Sequence, residues 1–111
     1  MIQEFKYGMF KIDNKQFYDN VKLIGSKIKL WECKERQITM NDLEDLLEIN
    51  PELLIIGQGP GGLIAVADDI KDVMRMRKIV LKVDKSQNAC ELYNRALKDG
   101  KRVAAIIPAR G

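Results

Sequence analysis

Histidine is absent from all 111 residues of this sequence. With it go the usual general base, the Ser-His and Cys-His nucleophile pairs and the commonest transition-metal ligand. Any chemistry would have to rest on carboxylates, lysines, a thiol or backbone groups. Cysteine is nearly as scarce. Cys33 and Cys90 stand far apart and neither belongs to a C-x-x-C pair, so no zinc ribbon or thioredoxin-type motif can be built, and neither a metal nor a structural disulfide is expected. Aromatic residues make up 6% of the chain, too few to interleave with basic side chains as nucleic-acid surfaces require. Nucleic acid is therefore not an expected partner. No run approaches the roughly 18 apolar residues that cross a bilayer. Met1 to Lys6 lacks the basic-then-apolar layout of a secretory signal. These absences lead to the expectation of a cytoplasmic protein that does not engage a membrane.

What is present is an ordinary globular composition, 46% apolar and 32% charged, enough for one hydrophobic core and a single domain over residues 1–111. The net charge of +3 hides an uneven distribution, with +3 over residues 1–36, −7 over 37–72 and +7 over 73–111. Two readings are open: solvated helix and sheet faces, which charge runs usually are, and opposite-sign faces that steer a partner or drive head-to-tail association.

The N-terminal third reads as antiparallel strands. Phe10 and Ile12 alternate with Lys11, Asp13-Asn14-Lys15 marks a turn, and Gln16 to Tyr18, Val21 to Leu23 and Ile28 to Cys33 continue the pattern, with Gly25-Ser26 as a second turn. From Thr39 the period changes. Thr39 and Asp42 resemble a helix-capping pair, Leu43, Leu46 and Leu47 share one helical face, and Asn50-Pro51 stops the helix. Glu52 to Ile56 is apolar at nearly every position, as a strand covered on both faces would be. A helix from Asp68-Asp69, a strand over Ile79 to Val83, a helix over Ser86 to Lys98 and a strand over Val103 to Ile107 follow. The sequence thus predicts an α/β fold in which antiparallel N-terminal strands pack with a parallel β-α-β-α-β half over residues 52–111.

The segment Leu53-Leu54-Ile55-Ile56-Gly57-Gln58-Gly59-Pro60-Gly61-Gly62 runs from a buried strand into a glycine loop. Gly57, Gly59 and Gly62 fit the G-x-G-x-x-G spacing of dinucleotide sites, and Asp84 ends the next strand where a ribose ligand would sit. Asp68 and Asp69, however, place carboxylates where phosphates would come, and only 27 residues follow Asp84, too few for a second mononucleotide half. No cofactor is expected. Two readings of the loop remain. In one it only reverses the chain under tight packing. In the other, Gly57, Gln58, Gly59, Gly61 and Gly62 face the start of the Ser86 helix as an anion or small-ligand site, Cys90 is activated by the helix N-terminus, and Asn94, one turn beyond, supplies a polar contact. The plainer reading of Cys90 is a small buried side chain.

Ser86-Gln87-Asn88-Ala89-Cys90-Glu91-Leu92-Tyr93-Asn94, followed by Asp99-Gly100-Lys101-Arg102-Val103-Ala104-Ala105-Ile106-Ile107, resembles the signature of the Mth-nine-three-eight-like domain family. That family includes the adipogenesis-associated protein and mitochondrial complex I assembly factor 3. Leu54 to Gly59 is similar to the family's apolar-Gly-x-Gly element, and Tyr18, Val21 and Trp31 resemble its N-terminal strands. The resemblance implies a three-layer β/β/α fold and a cavity near the glycine loop and the third helix. It implies no established enzymatic activity, and its mitochondrial members act in assembly of a respiratory complex. The expected function is a non-catalytic interaction or assembly module with an unidentified protein partner or a second copy of itself. The alternative, from a different class, is a small-ligand or anion-binding protein, or a weak thiol enzyme, using the glycine loop and Cys90.

Overall fold

Three strands, β1 (Ile2–Lys6), β2 (Met9–Ile12) and β3 (Lys15–Phe17), form an antiparallel sheet in the order β1-β2-β3. The turn between β2 and β3 places Asp13 and Asn14 at φ of +50° and +67°, the left-handed pair that a tight hairpin needs and that short polar side chains tolerate. The computed structural model describes all 111 residues, Met1 to Gly111.

After Phe17 the chain leaves this sheet, which differs from a single N-terminal meander. β4 (Asn20–Ile24) and β5 (Lys27–Trp31) join the C-terminal strands β7 (Leu53–Gly57), β9 (Val80–Asp84) and β10 (Val103–Ile107) in one five-stranded sheet, ordered β5-β4-β10-β7-β9. β4 runs antiparallel to β10 in a register that opposes Val21 to Ile107 and Ile24 to Ala104. β10, β7 and β9 are parallel, as the continuous apolar runs predict. The physical reason for the split is burial: Val21 and Leu23 are fully enclosed only against β10 and the core beneath it.

Every residue of β7 and β10 is buried, so alternate side chains fill two cores. Leu53, Ile55, Val103, Ala105 and Ile107 face α3 (Ser86–Lys98) and the β1–β3 sheet, whereas Leu54, Ile56, Ala104 and Ile106 face α1 (Met40–Leu47) and α2 (Asp68–Met76). The small sheet with α3, the five-stranded sheet, and α1 with α2 make three layers. Each fully buried Leu or Ile contributes on the order of 2 kcal/mol. α1 starts where the capping pair predicts: the Asp42 carboxylate accepts from the Thr39 N–H at 2.9 Å. A two-residue ladder between β6 (Gln37–Ile38) and β8 (Ala65–Val66) closes the α1/α2 face.

Candidate functional site

β7 delivers the chain to the carboxyl edge of the parallel strands at Gly57, where a Cβ would lie 3.1 Å from both Ile107 Cγ2 and Ser86 Oγ. A side chain there would press on β10 and the start of α3, which would have to give by a few tenths of an ångström. The loop then tightens through Gly59 and Gly62, at φ of +82° and +73°, with the Gly62 N–H donating to the Gly59 carbonyl at 3.1 Å. The Gln58 side chain holds the loop from inside, donating to the Ile64 carbonyl at 3.3 Å.

β9 and α3 complete the joint. The Gln58 N–H donates to Asp84 O at 2.8 Å and the Ser86 N–H to Gly59 O at 3.1 Å. The Gln87 side chain reaches Pro60 O at 3.3 Å. Ser86 is the one fully buried polar side chain, and its hydroxyl donates to Pro108 O at 2.7 Å. The Asp84 carboxyl is held below its usual range by the Asn88 side-chain amide and then by the Lys85 N–H.

The crevice between these elements is filled by the chain itself. Residues 108–111 run across it, with the Gly61 N–H donating to Gly111 O at 2.6 Å, the Gly8 N–H to Ala109 O at 2.8 Å and the Ala109 N–H to Asn20 Oδ1 at 2.8 Å. A Cβ on Gly59 would stand 2.7 Å from Gly111 C and 2.9 Å from Arg110 O. The N–H groups of Gln58, Gly61, Gly62 and Ser86 are bonded to carbonyls of the protein, which takes four donors of the loop and helix start away from any anion.

The seven residues singled out from the sequence therefore divide. Gly57, Gln58, Gly59, Gly61 and Gly62 are assembled with Ser86 and residues 108–111. Cys90 and Asn94 face elsewhere, which corrects the arrangement of an exposed thiolate with a neighbouring amide. Cys90 is 5% exposed among the core side chains, and burial, followed by the Glu91 charge, pushes its thiol up to about 12. Desolvation thus outweighs any stabilisation of thiolate by the helix N-terminus. Asn94 is occupied as a clamp on β1: its Oδ1 accepts from the Ile2 N–H at 2.8 Å and its Nδ2 donates to Ile2 O at 2.7 Å. Replacing Asn94 by Ala leaves both backbone groups of Ile2 without partners and is expected to cost about 2 kcal/mol, read as a lower denaturation midpoint at unchanged slope.

Sequence reasoning missed Ser86 as the joint's hydroxyl, and residues 108–111 as its plug. It also missed the side chains around that plug. Tyr7, Tyr18 and Leu63 are 68%, 61% and 65% exposed. Tyr7 adjoins Gly8, which bonds to Ala109; Tyr18 O accepts from Arg110 Nη1 at 3.1 Å; Leu63 follows the glycines that receive Gly111. A cleft of about 280 Å³ beside them is lined by Tyr7, Cys33, Arg36 and Arg110 among others. Cys33 is half-buried and its thiol is raised, chiefly by burial. No group of three or more His, Cys, Asp or Glu side chains converges to hold a metal ion. No helix is long and apolar enough to cross a membrane.

The fold recurs in solved structures. An outer membrane protein from Bartonella henselae is 21% identical, with 99% of this chain and 94% of that one covered at a TM-score of 0.86. A conserved hypothetical protein from Pyrococcus horikoshii is 22% identical, with 100% and 99% covered, also at 0.86. A Mth-nine-three-eight-like domain protein from Bordetella pertussis is 14% identical, with 99% and 85% covered, at 0.73. At these identities the likeness shows the fold. No curated protein matches the chain. The family profile described as "Protein of unknown function (DUF498/DUF598)" matches residues 2–108.

Proposed function

The chain belongs to the DUF498/DUF598 family, the family of Mth-nine-three-eight-like domains, and from that premise we propose that it works as a non-catalytic interaction or assembly module. The observation that carries this reading is the plugged carboxyl edge. In open α/β sheets the ligand crevice lies outside the carboxyl ends of the strands, and here that crevice holds residues 108–111, with the Gln58, Gly61 and Gly62 N–H groups already bonded. Around the plug stand Tyr7, Tyr18, Leu63 and Arg110. Tyrosine and arginine are the residue types that dominate binding energy at protein interfaces, because they offer large contact area and a polar end. The partner is a protein that covers this rim.

The joint triple variant Tyr7→Ser, Tyr18→Ser, Leu63→Ser tests it. These side chains are exposed, so the variant is expected to keep its thermal midpoint within a few degrees. It is expected to lose at least about tenfold in affinity for the protein that co-purifies stoichiometrically with the unaltered chain. Unchanged affinity would move the contact off this rim. The ligand-binding alternative is read in the same preparation: a nucleotide, phosphate, thiol or acyl metabolite that binds the native state must raise the melting temperature. No rise is expected from any of them, and a saturable rise would put that alternative first.

A further inference from the structure

The two edges of the five-stranded sheet are unlike. β5 ends it with Lys27 and Lys29, and Lys29 is bonded to Asp45 at 2.7 Å. Two cations on one short strand keep that edge from pairing, whereas β9 carries one, Lys82, beside an anion, Asp84. β9 ends the other side with Val80, Leu81, Lys82, Val83 and Asp84, has β7 as its only neighbour, and leaves Val80 57% and Val83 39% exposed.

The backbone of β9 is open in a defined pattern. The Val80 N–H donates to Glu52 O at 3.1 Å and Asp84 O accepts from the Gln58 N–H at 2.8 Å. Alternate residues of a strand turn their polar groups to opposite sides. Val80, Lys82 and Asp84 therefore bond inward, and Leu81 and Val83 direct their N–H and C=O groups out of the sheet. Their side chains line a groove with Met74 and Ile79, about 490 Å³ in volume and bordered by Lys71 and Arg75.

We propose that β9 is a self-pairing edge, on which a second copy of this chain docks antiparallel about a two-fold axis at Val83. In that register Val83 meets Val83 of the partner subunit through their outward backbone groups. Lys82 lies directly opposite Asp84 of the partner subunit, and symmetry makes that pair twice. Both charges are available. Lys82 has no ion pair in its own chain. The Asp84 bonds from Lys85 N at 2.7 Å and Asn88 Nδ2 at 3.0 Å both fall on Oδ1, which leaves Oδ2 for an incoming ammonium. Other registers are worse. An axis at Lys82 sets that lysine against its own copy, and opposed like charges destabilise a strand pair. An axis at Leu81 sets Lys82 opposite Val80 and carries Asp84 to Lys78, whose φ of +59° takes it out of the strand, so it makes no charge pair; the axis at Val83 keeps that pair in a short contact over residues 82–84, beyond which β9 ends. The pairing is independent of the Tyr7, Tyr18 and Leu63 rim.

Sedimentation equilibrium over a concentration series of the whole chain tests this. The average mass is expected to rise from 12.7 kDa toward twice that value. Lys82→Glu, at an exposed position, is expected to weaken association at least about tenfold while leaving circular dichroism unchanged, because it opposes Asp84 of the partner subunit. Asp84→Lys is expected to do the same, and the double variant Lys82→Glu, Asp84→Lys to restore association. Hydrogen exchange at Val83 should slow as wild-type concentration rises and not in Lys82→Glu. A mass that stays at 12.7 kDa for the wild type, association unaffected by Lys82→Glu, or a double variant that fails to recover would each overturn the proposal. The Tyr7, Tyr18, Leu63 triple variant should sediment as the wild type does, so failure of the rim reading and failure of this one are told apart.

Discussion

Gly59→Ala is expected to lower the unfolding free energy by about 3 kcal/mol, and Gly25→Ala by about 1 kcal/mol. Both glycines have positive φ, +82° and +59°, so both substitutions force an L-residue into a conformation that it disfavours. The difference lies in the surroundings. A Cβ at residue 25 meets nothing within 4 Å, whereas at residue 59 it meets the backbone of Arg110 and Gly111 at under 3.0 Å. Backbone cannot rotate aside as a side chain can, so Arg110 and Gly111 must shift, which strains the Gly61 to Gly111 bond. Paired urea titrations of the two variants give the contrast directly, through midpoints at equal slope. Equal losses would mean that the plug does not bear on the loop. If the larger loss appears, Gly59→Ala also provides a chain with a displaced plug, in which phosphate or nucleotide binding can be compared with the wild type.

The second large effect concerns Cys90 at alkaline pH. Its thiol ordinarily titrates at 9.0 and burial carries it to about 12 in the folded protein. The sign follows from the raised value: the folded state disfavours the thiolate, so the stability is intact below pH 9.0 and is lost as pH climbs toward about 12, because the unfolded chain ionises first. The loss runs at roughly 1.4 kcal/mol per pH unit through that window. Tyr93, raised by burial and then by Asp13, acts in the same direction. Cys90→Ala should flatten this slope while making only a small cavity. In the folded wild type the Cys90 thiolate is about a thousandfold scarcer at neutral pH than that of an ordinary thiol, and alkylation of Cys90 should be slower by that factor. Mass spectrometry after timed iodoacetamide treatment separates Cys33 from Cys90. A Cys90 rate comparable to that of a free thiol would return the residue to the list of reactive groups.

Much of the fold is legible because its signals are local. The Thr39 and Asp42 pair starts α1, Asp13-Asn14 supplies the left-handed hairpin turn, and α3 spans Ser86 to Lys98 as its spacing predicts. The continuous apolar runs at Leu53 to Ile56 and Val103 to Ile107 mark two strands covered on both faces. Each of these depends on residues within a few positions of one another, where propensity, capping and periodicity act.

The candidate site was legible only as a glycine loop. Whether that loop is a cradle or a joint depends on residues 108–111, some fifty positions along the chain, and no local pattern announces that Gly61 will meet Gly111. The same holds for Asn94, whose partner Ile2 is 92 residues away, and for Cys90, whose titration follows the packing around it rather than its place near a helix start. The departure of β4 from the N-terminal sheet to pair with β10 is also a long-range choice, made by the burial of Val21 and Leu23. By itself the sequence determined most of the elements, their order and the parallel character of the C-terminal strands, since those rest on short-range sterics and on which faces are apolar; β1, β6 and β8 carry no such local signal. Only the tertiary structure decided which strands share a sheet, what fills the carboxyl edge and which polar groups are left free, since those rest on contacts between segments that the chain order does not bring together.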